Sequence, residues 1–114
     1  MSLRELLDEL TRVTGVRGAL LVSREDGLVV ADALMEQVDG PAIAALAASL
    51  SGRMAGVTAA LGQPEPVSWQ LAGSDGMLVA ASGGEGLLVV AVAAPDVNAG
   101  ELRLRLLSVA GRTG

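Results

Sequence analysis

The sequence predicts an α+β domain in which a five-stranded antiparallel sheet carries helices on both faces. Five short runs rich in Val, Leu and Ala are separated by turn residues, mostly at hairpin length. Three longer segments have helical periodicity and begin with a capping residue or a proline. At 114 residues the chain is long enough to bury one core, so we expect a single domain over residues 1–114.

A helix and a hairpin are expected first. The hydroxyl of Ser2 is placed to cap a helix that ends before Gly15. Two apolar runs follow, Gly18 to Ser23 and Leu28 to Ala33, and they are joined by a tight turn. Gly27 occupies the position of that turn where positive φ is needed. These features predict the first two strands as an antiparallel pair.

An acidic loop, Asp32 to Gly40, leads into a segment with almost no charge. Between Asp39 and Glu65 lie 25 residues, and only Arg53 among them is charged. Helical spacing and Pro41 in the first turn predict one helix from Pro41 to Leu61. A surface helix of a monomer needs one apolar face and one wet face. This helix has almost no wet face, so a second surface must cover it.

Two apolar stripes run along this helix on nearly opposite sides. One stripe holds mostly large residues: Ile43, Leu46, Ala47, Leu50, Met54, Val57 and Leu61. The other holds small residues at every fourth position: Ala44, Ala48, Gly52, Gly56 and Ala60. We expect the large stripe to face the sheet and the small row to let another backbone approach closely. The alternative is that the small row packs on the protein's own sheet.

Three more strands are expected after the helix. They are Val67 to Ala72, Met77 to Ser82 and Leu87 to Ala93, joined by the Gly-rich turns Gly73 to Gly76 and Gly83 to Gly86. The first alternates apolar and polar residues, as a strand covered on one face does. The last is apolar throughout, so it is expected to lie centrally with both faces covered.

A terminal helix from the cap Asn98 to about Ala110 completes the order α-β-β-α-β-β-β-α. The segment Leu102 to Leu106 also alternates like a strand, but the cap and the apolar residues that follow it favour a helix. The two most apolar runs, Ala19 to Val22 and Leu87 to Ala93, are expected at the centre. The predicted strand order is therefore 2-1-5-4-3, with the third strand at an edge.

Composition excludes several kinds of function. The chain has a net charge of −5 and contains no His and no Cys. A Ser-His-Asp triad, a thiol nucleophile and a Cys or His zinc site are therefore impossible. We predict no catalytic residue, no metal site and no cofactor, and hence a protein that is not an enzyme. With no lysine and one aromatic residue, Trp69, nucleic-acid binding is not expected either.

The sequence also predicts where in the cell the protein is located. The absence of Cys fits a reducing cytoplasm, and the charged first residues do not form a signal peptide. A membrane span requires about 18 apolar residues in a row. Arg53 lies near the centre of the charge-poor helix, together with Gly52, Gly56 and three hydroxyl residues. We therefore predict a cytoplasmic protein without membrane insertion.

Several segments resemble the Roadblock family of dynein light-chain-like domains. They are Gly15 to Ser23 (GVRGALLVS), Asp26 to Ala31 (DGLVVA), Ala42 to Gly56 (AIAALAASLSGRMAG) and Gly86 to Val90 (GLLVV). The resemblance implies a five-stranded antiparallel sheet between helices, and a homo- or heterodimer built through the second helix and third strand. It also implies an adaptor role, because bacterial relatives bind or regulate Ras-like small GTPases.

The predicted site is a dimer interface rather than a catalytic centre. It comprises the small row and the edge strand: Ala44, Ala48, Gly52, Gly56, Ala60, Val67, Ser68, Trp69 and Gln70. Trp69 is expected to pack in the core or at the edge, with a partner contact as the alternative. Arg53 is expected at the interface rim or against an acidic partner. A different function, a small-molecule sensor of PAS or profilin type, remains as an alternative.

Overall fold

The computed structural model describes residues 2–113, and it contains the predicted elements in the predicted order. The helices are α1 (Leu3–Thr11), α2 (Gly40–Ala60) and α3 (Ala99–Gly111), and the strands are β1 (Val16–Ser23), β2 (Val29–Leu34), β3 (Ser68–Ala72), β4 (Met77–Ser82) and β5 (Leu87–Ala93). The ambiguous segment Leu102 to Leu106 is helical.

All five strands form one antiparallel sheet in the order β2-β1-β5-β4-β3. The predicted topology and strand order are confirmed. Strands β1 and β5 lie at the centre because helices cover both of their faces, as their continuous apolar sequences require. Strands β2 and β3 form the two edges of the sheet.

The sheet separates two apolar cores. On one face, α1 and α3 cover a large core that includes Leu7, Leu10, Leu21, Val89 and Leu106, all almost fully buried. On the other face, α2 alone covers a smaller core that includes Leu20, Val22, Leu88 and Val90. Two helices therefore shield one face, whereas a single helix shields the other. This asymmetry leaves part of the α2 face of the sheet uncovered.

Side-chain caps fix the starts of the helices. Ser2 Oγ accepts the backbone N–H of Glu5 at 3.2 Å, and Asn98 Oδ1 accepts that of Glu101 at 3.0 Å. Asp39 Oδ1 accepts the N–H of Ala42 at 3.1 Å and so caps α2. Each cap satisfies a backbone donor that would otherwise have no partner in the helix.

The β1–β2 turn lies against the middle of α2. Gly27 has φ of +70°, and a Cβ at this position would come within 3.3 Å of the Ala45 Cα. Only glycine combines this backbone conformation with so close an approach. The turn therefore fixes α2 on its β2 side.

An ion pair joins the ends of α1 and α3. Arg112 Nη1 donates to Glu9 Oε1 at 3.0 Å, and Arg112 Nη2 donates to Glu9 Oε2. This hydrogen bond from the guanidinium lowers the pKa of the Glu9 carboxyl below its ordinary value. Nearby, Thr113 Oγ1 accepts the N–H of Gly84 at 2.9 Å and ties the C-terminal end to the β4–β5 turn.

Candidate dimerisation surface

Helix α2 turns mainly small residues toward the sheet, and Ile43 is the one large residue that packs beside them. Its buried residues are Gly40, Ala44, Ala47 and Ser51. The prediction that the large stripe faces the sheet is therefore wrong for most of its long side chains, although Ala47 of that stripe is buried and Ile43 packs against the same core. The physical reason is that the sheet already presents large side chains at this place, among them Leu20 and Leu88. Only short side chains on the helix let it lie close to such a surface without overpacking.

The small row does not remain on one face of α2. A step of four residues turns about 40° around an α-helix, so the row winds from the sheet toward solvent. Ala44 is fully buried in the core and cannot contact a second copy, which corrects that part of the predicted interface. Ala48 is half-buried and packs against the core under α2. Gly52, Gly56 and Ala60 are exposed.

The large residues form a flank of α2 that points toward β4 and β3. We call Ile43, Leu46, Leu50, Met54, Val57 and Leu61 the large-residue flank. Leu46, Val57 and Leu61 are 57%, 60% and 70% exposed, and the other three are half-buried. Ile43 shows where the flank points, because it shares a surface groove with Leu78 of β4 and Leu71 of β3.

The apolar groove between the start of α2 and the β3–β4 hairpin has a volume of about 420 Å³. Its lining contains no charged side chain: Ile43, Leu71, Ala72, Gly73, Gly76, Met77, Leu78 and Val92. A second groove of about 450 Å³ shares Ile43 and Val92 with it and extends to Arg17 and Asp39. Arg17 Nη1 donates to the backbone oxygen of Asp75 at 3.1 Å and so bridges the end of the sheet.

Strand β3 is an unprotected sheet edge. The backbone oxygen of Val67 accepts from Ser82 N at 3.0 Å, and that of Gly76 accepts from Gly73 N at 2.8 Å. Because antiparallel strands alternate their hydrogen-bonding direction, the intervening residues Ser68, Gln70 and Ala72 point their backbone groups outward. Strand β3 pairs with β4 in regular register without a bulge and carries no charge. Such an edge is a template for pairing with another strand.

Strand β2, at the opposite edge, is protected. Its register with β1 shifts between Leu21 and Val22, which leaves Val30 as an extra, bulged residue. It also carries the charged Asp32, which is exposed. Bulges and charges are the usual devices that prevent edge strands from pairing. The two edges therefore differ, and β3 is the one open to association.

The alternation of apolar and polar residues in β3 predicts that its apolar side chains are covered on one face, but the structure leaves them partly exposed. Val67 and Leu71 are 66% and 51% exposed, because α2 leans over the centre of the sheet and does not cover this edge. Trp69, between them, is half-buried and packs against the core under α2. Its Nε1–H donates to Ser51 Oγ at 2.7 Å.

Ser51 is a structural residue that the sequence reasoning missed. It is the buried polar residue of α2, only 5% exposed, and it links the helix to the edge strand through Trp69. Two sequence features could have identified it. Ser51 follows the sheet-facing Ala44 and Ala47 at helical spacing, and the chain has a single indole N–H that needs an acceptor. Buried indole donors usually find such a partner.

Arg53 is exposed on the outer side of α2, away from the sheet. In the described part of the chain, ion pairs join Arg24 to Glu65 and Arg112 to Glu9, so Arg53 is not engaged in one. Helix α2 also has the length and mean hydropathy of a membrane span, although only 17% of its most apolar 18-residue window is buried. Most of this apolar helix is therefore left uncovered in the described structure.

The remaining sequence features have local structural roles. Asp39 caps α2, and Asp26 Oδ1 accepts the N–H of Leu28 at 3.2 Å within the β1–β2 turn. Among residues 2–113, no three acidic side chains are grouped to hold a metal ion. Gly83 to Gly86 form a hairpin turn, with Gly83 N donating to the Leu87 oxygen at 2.9 Å.

The chain is similar to known proteins both in sequence and in structure. Two uncharacterised proteins of Methanocaldococcus jannaschii, MJ0310 and MJ0714, are 31% and 32% identical over 107 residues, which is 94% of this chain and 92% and 89% of theirs. MglB of Myxococcus xanthus superposes with a TM-score of 0.84 at 22% identity, covering 95% of this chain and 81% of that one.

Two further solved structures agree. The gliding protein MglB of Thermus thermophilus has a TM-score of 0.80 at 25% identity, covering 95% of this chain and 87% of that one. A Roadblock/LC7 domain from Streptomyces avermitilis has a TM-score of 0.79 at 25% identity, covering 93% and 89%. The family model of the Roadblock/LC7 domain matches residues 3–93. The chain belongs to the Roadblock/LC7 domain family.

Proposed function

We propose that this protein is a homodimeric, non-enzymatic adaptor of the cytoplasm that scaffolds or regulates a Ras-like small GTPase. The observation that carries the proposal is the apolar surface formed by the large-residue flank of α2 together with the open β3 edge. The apolar groove lining contains no charged side chain, and Leu46, Val57 and Leu61 are exposed beside it, which suits protein association.

The exposed apolar side chains support a dimer. Leu46, Val57 and Leu61 on α2 and Leu71 on β3 are each more than half exposed. A stable protein pair usually buries about 800 Å² on each partner. We expect a pair that covers α2 and β3 together to bury an area of this order.

The β3 edge gives the association a direction. Two copies of β3 related by a two-fold axis run antiparallel and can pair through the outward backbone groups of Ser68, Gln70 and Ala72. The contact is isologous, so each copy offers and receives the same set of groups. The sheet would continue from one protomer into the other. The protected β2 edges would then lie at the two ends of the combined sheet.

A small GTPase as the further partner is proposed from kinship. The MglB proteins of Myxococcus and Thermus share the fold, and the Thermus protein is described as a gliding protein. Roadblock proteins that resemble this chain bind or regulate Ras-like GTPases, which is an argument by analogy. The chain contains no P-loop signature of its own, so the nucleotide would be bound by the partner.

Two measurements test the proposal. Analytical ultracentrifugation of the purified chain is expected to give twice the mass of 11.4 kDa, and a monomer at high concentration would refute the homodimer. A pull-down with Ras-like GTPases encoded near the gene is expected to show binding that differs between GDP and a GTP analogue. Binding to none of them, combined with a retained small molecule in native mass spectra, would favour the sensor alternative.

A further inference from the structure

We infer that the second groove, beside the β2–α2 loop, binds a free apolar α-amino acid as its zwitterion. The ligand carboxylate binds Arg17, the ammonium group binds Asp39, and the ligand side chain packs on Val92. The groove has a volume of about 450 Å³, within the range of about 300–1,000 Å³ that is usual for small-molecule sites. This binding activity goes beyond the proposed adaptor function and does not depend on the dimer.

The second groove contains two opposite charges that do not bind each other. Arg17 of β1 and Asp39 of the β2–α2 loop both line it. Among residues 2–113, neither side chain belongs to an ion pair. Both charges are therefore available to a ligand that carries an anion and a cation of its own. An α-amino acid carries both on one carbon atom, so a single small molecule can meet the two side chains at once.

Arg17 is held in place at the groove by its backbone and by its side chain. Its Nη1 donates to the backbone oxygen of Asp75 at 3.1 Å, and its own backbone oxygen accepts the N–H of Met35 at 3.1 Å. The second bond ties the β2–α2 loop to β1. A guanidinium has five N–H donors, and the bond to Asp75 uses one of them. The remaining donors can form the paired contact with a carboxylate that arginine favours.

Asp39 is oriented by the start of α2. Its Oδ1 accepts the N–H of Ala42 at 3.1 Å, which fixes the carboxylate as the cap of the helix. The other oxygen, Oδ2, is left to accept from an ammonium group, because an ionised carboxylate accepts at both oxygens. Gln37 lines the same groove, and its side-chain carbonyl is an acceptor for a second ammonium N–H.

The rest of the lining favours an apolar ligand side chain. It consists of Met35, Val38, Ile43 and Val92. Met35 is 58% exposed, and its unbranched thioether can adjust to the shape of a ligand. A ligand side chain placed between Met35 and Ile43 would remove apolar surface of both from water, which is favourable. A polar side chain would lose its water against these four residues.

The two charges also distinguish a zwitterion from simpler molecules. A carboxylic acid without an amino group would bind Arg17 but would be repelled by the carboxylate of Asp39. An amine without a carboxylate would meet the opposite difficulty. Each charged hydrogen bond is worth roughly tenfold or more in affinity. The inference therefore predicts an order of ligands as well as the presence of binding.

Isothermal titration calorimetry of the purified chain with L-leucine, L-methionine and L-phenylalanine tests the inference. At least one of them is expected to bind with a Kd of about 1 mM or tighter. Three analogues of leucine are the controls: 4-methylpentanoic acid lacks the amino group, 3-methylbutylamine lacks the carboxylate, and glycine lacks the side chain. Each should bind about tenfold or more weakly than the best amino acid. Equal binding of leucine and 4-methylpentanoic acid would overturn the inferred recognition of a zwitterion.

Four variants locate the site. Arg17→Gln and Asp39→Asn should each weaken amino-acid binding about tenfold or more. Asparagine caps helices as well as aspartate does, so Asp39→Asn removes the charge and keeps the start of α2. It should also narrow the difference between leucine and 4-methylpentanoic acid, an effect that a merely structural residue would not produce. Arg53→Gln and Asp32→Asn change exposed charges outside the groove and should leave binding unchanged.

Two results would overturn the inference. One is that none of the three amino acids binds the wild-type chain. The other is that an amino acid binds and that Asp39→Asn, with a wild-type melting curve, binds it equally well. Because Arg17→Gln also removes the bond to Asp75, its melting curve is measured too, and Asp39→Asn decides the outcome if Arg17→Gln is unfolded.

Discussion

Replacing Ala44 by leucine tests which side of α2 lies on the sheet. Ala44 is fully buried among the residues that α2 covers, with Leu20 and Val90 in the same core. A leucine there adds three carbons to a contact that has no room for them. We expect α2 to be lifted from the sheet or its neighbours to leave their preferred rotamers. If the large stripe faced the sheet instead, the same substitution would lie on an outer surface.

The expected cost is about 1–3 kcal/mol of the free energy of unfolding, the usual range for overpacking a core. Unfolding entropy near 2.1 cal/mol/K per residue gives about 0.24 kcal/mol/K for a chain of 114 residues. The melting temperature should therefore fall by about 4–12 °C. A structural effect of this size is well above the scatter of surface substitutions, which is about 0.5 kcal/mol.

The assay is thermal unfolding followed by circular dichroism at a fixed protein concentration, because association would also shift the midpoint. Ala42→Leu is the matched control, since it makes the same change at an exposed position of the same helix. It is expected to leave the midpoint nearly unchanged. Equal midpoints for Ala44→Leu and Ala42→Leu would refute the assignment of the sheet-facing side.

Three further predictions concern the edge strand and the ion pair. Ser51→Ala removes the acceptor of the Trp69 N–H, so it should lower the free energy of unfolding in urea by about 1–2 kcal/mol and shift the Trp emission. The exposed control Ser49→Ala should change neither quantity. An unchanged Ser51→Ala variant would contradict the structural role of that bond. Gln70→Pro removes an outward N–H and leaves the hydrogen bonds to β4 intact. Sedimentation should then show that the folded chain dimerises more weakly, whereas Gln70→Thr should remain dimeric. A Gln70→Pro variant that dimerises as strongly as the wild type would exclude strand pairing. Because the pKa of Glu9 is lowered by Arg112, its contribution to stability is present above the ordinary glutamate pKa of about 4.3 and is lost as pH falls through the folded value. The difference in the free energy of unfolding between wild type and Arg112→Gln should therefore shrink as pH falls below about 4. A difference that stays constant from pH 7 to pH 3 would count against this linkage.

The ends of the elements could be predicted from the sequence because local chemistry determines them. Ser2 and Asn98 accept N–H groups of the first turn in the structure as their spacing predicted. Pro41 lies in the first turn of α2, and Gly27 has positive φ in the β1–β2 turn. The strand order followed from burial, since only a central strand can be apolar as continuously as β5.

The orientation of α2 could not be predicted because both of its sides are apolar. Periodicity identifies an apolar side but not its partner, and the usual rule assigns the larger residues to the core. Here the opposing sheet supplies the volume through Leu20, Val22 and Leu88, and the helix supplies the short side chains Ala44 and Ala47. Which side of the helix lies on the sheet depends on the side-chain volumes of both surfaces. The sequence of the helix gives the volumes on only one of them.

This orientation determines what a dimer would offer to a third protein. If the large-residue flank is covered by the second copy and Ala44 by the sheet, the side of α2 left open carries Ser49, Arg53, Gly56 and Ala60, all exposed. Short side chains allow a partner to approach the helix backbone closely, and Arg53 is the one charge available to orient it. Two antiparallel helices would present two such sides around one axis. We therefore expect a GTPase that recognises the dimer to place an acidic side chain near Arg53, and Arg53→Glu should abolish its capture while the dimer mass stays unchanged; retained capture would move the docking site away from α2.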